Sequence, residues 1–193
     1  MIQNGTLVLA SASPRRSELM ALAGLRFEVL PAHIDEQVLP GELPADHVMR
    51  LSREKAQAVA EKGDGRFFVG ADTVVVLDGR IMGKPRDEAE ALAMLTDLSG
   101  RDHEVITGIT VFDRDQQVCL TRSVTTEVRF RELSAHEIQD YVASGCPMDK
   151  AGAYAIQGGA VHFVRAISGS YTNVVGLPMA ELYELLLTLK AVA

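Results

Sequence analysis

Residues Phe67–Leu77, FFVGADTVVVL, carry the reading that decides the fold. Aromatic and β-branched residues fill this run, which predicts a buried strand interrupted only at Asp72-Thr73. The Asp78-Gly79 pair that follows is a tight hairpin signal, leading into a short strand Arg80–Met82. Upstream, Thr6–Ala10 reads as a short apolar strand running into Ser11-Ala12-Ser13-Pro14-Arg15-Arg16. A helical pattern through Leu19, Met20, Leu22 and Ala23 ends at Gly24, with Ser13 as N-cap and Pro14 at the first helical position. Phe27–Leu30 reads as a second strand, followed by a polar loop around Asp35 and Glu36 and a helix over about Ala45–Lys62.

Downstream, Asp87–Leu98 reads as a helix, and Glu104–Phe112 and Val118–Phe130 as paired strands. Ser134-Ala135-His136-Glu137 is a capping box opening a helix that stops at Gly145. Val161–Ile167 is a further strand and Pro178–Val192 a closing helix. Strands alternate with helices, yet the hairpin and the long central strands are antiparallel signals. An α/β domain follows, with a mixed sheet flanked by helices.

The chain has 193 residues, 47% hydrophobic and 23% charged, an ordinary globular composition whose length suits one large domain, spanning 1–193, or two small ones. Its formal charge of −7 argues against a nucleic-acid polymer as partner, because such binding needs a basic stripe. A small anion is a different matter, since a few local cations set the sign of one pocket. Only five of the 19 cationic residues are lysines: Lys55, Lys62, Lys84, Lys150 and Lys190. Cys119 and Cys146 form no C-x-x-C and read as two small buried thiols in a reducing compartment. The five histidines lack zinc-site spacing, no run of 18 apolar residues exists, and residues 1–10 lack a signal peptide's features. The cytoplasm is the default location.

Several stretches carry chemistry. A helix N-terminus offers unpaired N–H groups, and the two serines and two arginines of 11–16 extend that anion-binding logic. Capping explains Ser13 and Pro14 but not the arginine pair. Lys55 sits in the apolar stripe Val48, Leu51, Lys55, Val59, so it either snorkels at the margin or points into a polar cavity. Asp72 is a carboxylate in an otherwise apolar run, costly unless paired, and suited to hold a metal or take a proton from water. Gly83-Lys84-Pro85 is not a Walker A loop, because the glycine spacing and the residue after the lysine are wrong. In Pro147–Gly159, small residues allow close backbone approach, and Gln157 offers both a donor and an acceptor to a base edge. Ser168–Pro178 reads as a polar turn before a helix, and no nucleophile elbow supports a serine hydrolase.

Taken in order, Ser11-Ala12-Ser13-Pro14-Arg15-Arg16, Arg53-Glu54-Lys55-Ala56, Gly70-Ala71-Asp72-Thr73, Lys84-Pro85, Asp149-Lys150-Ala151-Gly152-Ala153-Tyr154, Gln157-Gly158, Gly169-Ser170-Tyr171 and Val175-Gly176-Leu177-Pro178 resemble the Maf family. These are nucleoside triphosphate pyrophosphatases, also described as septum-formation inhibitors. The resemblance runs from about residue 6 to 187. It implies an elongated α/β fold similar to that of the inosine triphosphate pyrophosphatases, with a cleft between two lobes and a divalent metal, Mg²⁺ or Mn²⁺.

Carried over by position, Asp72 matches the family's proton acceptor, with Lys55 and Lys84 beside it in the catalytic set. Arg15, Thr73 and Gln157 match the positions of substrate choice, in the form of the branch hydrolysing dTTP and UTP. Ser11, Ser13, Arg16 and Lys150 complete the substrate-binding set, and Glu36 joins Asp72 as a metal ligand. The implied partner is a nucleoside triphosphate, with no polymer and no membrane, and a homodimer is compatible with the resemblance. Two rivals stay open at this point: a nucleotide-binding regulator of division without turnover, and a phosphatase releasing orthophosphate.

Overall fold

The computed structural model describes residues 2–193. Seven strands form one mixed sheet: β1 (Leu7–Leu9), β2 (Phe27–Val29), β3 (Phe67–Leu77), β4 (Arg80–Met82), β5 (Asp102–Asp113), β6 (Val118–Phe130) and β7 (Val164–Ser168). Their order is β2-β1-β3-β5-β6-β7, with β4 paired to β3. β1 is parallel to both β2 and β3, whereas β4 and β7 run antiparallel to β3 and β6. The described residues also form six α-helices, α1 (Pro14–Leu22), α2 (Pro44–Ala60), α3 (Glu88–Leu98), α4 (Ala135–Ala143), α5 (Tyr171–Val175) and α6 (Met179–Thr188), and a 3-10 turn at Ala151–Ala153. Among the described residues no helix is long and apolar enough to cross a membrane.

Two compact units divide the chain. The first comprises the residues up to Asp72, Thr107–Val124 and Gly176–Ala193; the second comprises Thr73–Ile106 and Thr125–Val175. β3, β5 and β6 contribute residues to both.

In the first unit, α2 buries the predicted stripe of Val48, Leu51, Lys55 and Val59. A core of Val8, Ala10, Ala56, Val59, Phe68 and Phe112 forms beneath it. Two glycines set how close this helix lies. A Cβ on Gly70 of β3 would sit 2.0 Å from the Ser52 carbonyl oxygen, and one on Gly108 of β5 2.2 Å from that of Val48. No side chain fits there, so the helix backbone rests on the strands at the closest approach that glycine allows.

In the second unit, α3 is capped by Asp87, whose side chain accepts from Glu90 N at 2.8 Å. Ser134 and Glu137 form the predicted capping box of α4. The core is aromatic: Phe130 meets His103 and Tyr154 edge-on, with ring centroids 4.9 and 4.8 Å apart.

The sequence reading departs from the structure in a few places, each with a physical reason. Ser13 occupies the N-cap of α1, but its side chain makes no capping bond; Ser11 Oγ instead accepts the Ser13 amide at 3.3 Å. β7 begins at Val164, not Val161, because residues 156–163 form consecutive turns before pairing starts. The closing helix ends at Thr188, and Lys190 has a positive φ of 55° that periodicity does not reveal. The stretch Ser168–Pro178 holds the short helix α5 as well as a turn. Both cysteines are free, but Cys119 is only partly buried and Cys146 is exposed, against the expectation of two buried thiols. Cys146 lies in the turn after α4, where no apolar surface covers it.

Candidate active site

The site begins where β1 runs out. The Ala10 amide donates to Val69 O at 2.8 Å, after which the chain leaves the sheet at Ser11 and turns into α1. In a parallel ladder the next carbonyl of β3 on that side belongs to Ala71, and no β1 amide reaches it. Arg16 takes the place: its Nη1 donates to Ala71 O at 2.8 Å and to Ser11 Oγ at 3.0 Å, and its Nε to Gly176 O at 2.8 Å. One guanidinium thus ties the start of α1, the residue before Asp72 and the turn before α6. Burial lowers the Arg16 pKa from its ordinary value; Asp72 opposes that, Arg15 adds to it, and Glu36 opposes it. Arginine stays protonated under such shifts. Arg15, its neighbour, is half-buried on the same turn.

Asp72 is buried within β3. Lys55 comes to it from α2, buried against carboxylates and not snorkelling at the margin of its stripe. Its Nζ donates to Asp72 Oδ1 at 2.6 Å and lies 2.6 Å from Glu36 Oε1. The lysine and aspartate side chains are about one-tenth exposed, whereas Glu36, on the loop before α2, is nearly half exposed. Burying one partner alone would be strongly unfavourable, and the shared hydrogen bond offsets that cost. Arg16 lies within electrostatic reach of both carboxylates, which act against the burial that lowers its pKa. Counting Arg15 as well, this cluster carries three cations against two carboxylates.

A second polar cluster holds the Glu36 loop, and sequence reasoning missed it. Glu42 accepts from Arg50 Nε at 2.6 Å and Nη2 at 2.9 Å, and from the Leu39 amide at 3.0 Å; His47 Nδ1 is 2.9 Å away. The Arg50 hydrogen bond is the main reason that the Glu42 carboxyl is held well below the usual carboxylate range. Only a Glu and an Arg eight residues apart across a loop–helix boundary signal this in sequence, and that spacing belongs to no local motif.

The remaining predicted residues lie in the second unit. Thr73, directly after Asp72, is partly buried. Lys84 is exposed, and Lys150 donates to Cys146 O at 2.7 Å while pairing with Asp149. Their segments meet, because the Gly152 amide donates to Gly83 O at 3.0 Å. A Cβ on Gly152 would lie 2.7 Å from the Val75 side chain, which is why small residues follow Lys150. Tyr154 anchors the same stretch through its hydroxyl, 2.8 Å from His103 Nε2. Burial pushes the Tyr154 phenol up and holds His103 down at about 4, so the imidazole is neutral. Gln157 is exposed. The structure therefore gathers Ser11, Ser13, Arg15, Arg16, Glu36, Lys55 and Asp72 in one unit, and Thr73, Lys84, Lys150 and Gln157 in the other.

Glu36 Oε1 and Asp72 Oδ1 converge on the Lys55 ammonium, which lies 2.6 Å from each. Among the described residues no group of three or more His, Cys, Asp and Glu side chains is placed to hold a metal. Carboxylate oxygen is the donor type that Mg²⁺ takes, usually one or two such groups from the protein.

The family model for Maf-like protein matches residues 6–189. The dTTP/UTP pyrophosphatase of Geobacter sp. (strain M21) is 58% identical over 185 residues, covering 96% of either chain. That of Geotalea uraniireducens (strain Rf4) is 53% identical over 192 residues, covering 100% of this chain and 99% of its own. Among solved structures, a HAM1 protein from Coxiella burnetii aligns over 95% of this chain and 98% of its own, with a TM-score of 0.50 at 15% identity. That likeness concerns the fold.

Proposed function

The chain belongs to the Maf family, and from that premise we propose that it is a pyrophosphatase hydrolysing dTTP and UTP to the monophosphate and pyrophosphate. The observation that carries the mechanism is the buried Lys55 ammonium held 2.6 Å from both Asp72 and Glu36. The hydrogen bond from Lys55 Nζ to Asp72 Oδ1 fixes the carboxylate in one orientation. Asp72 is proposed to take the proton of the attacking water as its oxygen bonds to the α-phosphorus. The bond from that phosphorus to the bridging oxygen breaks, and pyrophosphate leaves with the electron pair. General-base assistance of this kind contributes about 10²–10⁴-fold.

Lys55 orients Asp72 through the shared hydrogen bond and supplies positive charge near the phosphates. Ser11, Ser13 and Arg15, at the start of α1, are proposed to bind phosphate oxygens, the helix end adding its own partial charge. The cationic excess of the cluster costs energy without an anion, and a triphosphate removes that cost. Arg16 serves the same site from behind, since its donors hold Ala71, Gly176 and Ser11. Glu36 and Asp72 would hold a divalent ion, which when bound neutralises charge developing on the phosphate oxygens. Thr73, Lys84, Lys150 and Gln157 are proposed to recognise the rest of the nucleotide, Gln157 reading the base.

Incubation with a panel of nucleoside triphosphates and Mg²⁺ or Mn²⁺, with the leaving group identified, tests the reading. Pyrophosphate released from dTTP and UTP is the expected result. Orthophosphate would make the protein a phosphatase, and tight dTTP binding without turnover would make it a nucleotide-binding regulator.

A further inference from the structure

Residues 30–43, which carry Glu36, form neither helix nor strand. At the start of this segment the Leu30 amide bonds to Leu9 O at 3.0 Å, and near its end Glu42 and Leu39 close a local turn. Between those points one side chain of α2 reaches over: Arg50 Nη2 donates to Gln37 O at 3.0 Å. The same guanidinium grips Glu42, which in turn accepts the Leu39 amide. Gln37 and Leu39 follow Glu36 by one and three residues. Arg50 and Lys55 lie on one rigid helix, so the guanidinium fixes the loop relative to the ammonium that Glu36 must meet.

We propose that Arg50 is a positioning residue for the reaction, holding the Glu36 carboxylate to Lys55 through its fork on Glu42 and Gln37. This rests on the role given to Glu36 above. Arg50 acts at one remove, since its bonds run to Glu42, Gln37, Glu54 and His47 and none runs to Lys55 or Asp72. A lysine in its place supplies charge but not the planar fork that spans a carboxylate and a carbonyl together. Removing the guanidinium also leaves Glu42, a carboxylate with only 8% of its side chain exposed, beside His47 without its main partner. The loop then gains by opening to water.

The test is a double-mutant cycle with dTTP and Mg²⁺. Residues that orient a ligand from behind typically cost about 10–100-fold in activity when lost. Arg50→Met and Arg50→Lys are each expected to lower kcat within that range, and to lower it by less than about threefold when Glu36→Gln is already present. Glu42→Gln keeps the shape of the cluster and is the second variant should Arg50→Met fold poorly; it is expected to show the same coupling. Independently of activity, hydrogen exchange at the Gln37 and Leu39 amides should quicken in Arg50→Met while β3 amides keep their protection. Equal losses in both backgrounds, or unchanged exchange in the loop, overturn the positioning role and leave the Glu36 reading intact. Wild-type turnover in Glu36→Gln overturns that reading, and the positioning role with it.

Discussion

Replacing Gly70 by alanine tests the contact on which the geometry of the site depends. The added Cβ would stand 2.0 Å from Ser52 O, 2.9 Å from Ala56 N and 3.0 Å from Ser52 C. Carbon–oxygen contacts settle near 3.3 Å or more, so α2 must withdraw by roughly 1.3 Å. All three neighbours are backbone atoms of a helix, and none can swing aside. Overpacking of this kind costs about 1–3 kcal/mol, and the rigidity of both partners puts Gly70→Ala at the upper end. The reduced freedom of the unfolded chain returns only about 0.4–1 kcal/mol, so destabilisation wins. A net loss of about 2 kcal/mol lowers Tm by roughly 4–8 °C in a chain of this size. Withdrawal of α2 also draws Lys55 from Asp72, now 2.6 Å away, beyond hydrogen-bond reach unless the lysine stem extends. A fall in kcat should therefore accompany the fall in Tm. Calorimetry and steady-state turnover on Gly70→Ala measure both, and Gly83→Ala, where nothing lies within 4 Å, should melt like the wild type. Wild-type Tm and turnover in Gly70→Ala would refute the close seating of α2.

Asp72→Asn should lower kcat by about 10²–10⁴-fold while substrate binding changes far less; near-normal turnover rules out Asp72 as the proton acceptor. Gln157→Ala should reduce the preference for dTTP and UTP over other triphosphates, about tenfold in relative kcat/KM, with little change in Tm because the residue is exposed. His103 gives a pH test. Its folded pKa of about 4 lies below the ordinary 6.5, so on acidification the unfolded chain takes a proton before the folded one does. Stability should fall as pH drops from about 6.5 to 4, by at most about 3 kcal/mol from this group. Denaturant titrations of His103→Gln should show a correspondingly flatter slope in that window, and an unchanged slope would exclude the buried neutral imidazole.

Much of the fold was legible because burial writes itself into short patterns. β3, β4 and β6 begin and end where composition predicted, and the Ser134 capping box formed as read. The charged residue inside β3 and the lysine inside the α2 stripe were visible for the same reason: each breaks an apolar pattern, and they prove to be partners. What stayed hidden depends on contacts between distant residues. The seating of α2 on Gly70 and Gly108 joins elements that periodicity treats separately. The Glu42–Arg50 grip looks in sequence like two solvated charges. The Gly152–Gly83 bond links segments nearly seventy residues apart, and only the small residues after Lys150 hinted at a close approach.

The two adjacent arginines show how a single motif divides its work. Successive helix residues point about 100° apart, so Arg15 and Arg16 cannot address the same group. Arg16 turns back to the sheet, where the early end of β1 leaves the Ala71 carbonyl to be satisfied, and three of its bonds go to the protein itself. Arg15 makes none of those bonds. The same division separates the lysines, since Lys55 is engaged by two carboxylates while Lys84 stands exposed. In this acidic chain the internal cations are engaged by protein groups, and under the proposed function the more accessible ones meet an anion. Arg16→Lys and Arg15→Lys should therefore differ in kind. The first loses a fork that shapes the ground beneath Asp72 and should lower Tm as well as kcat. The second should mainly raise KM for the triphosphate, and the same change in both variants would mean that the two arginines share one role.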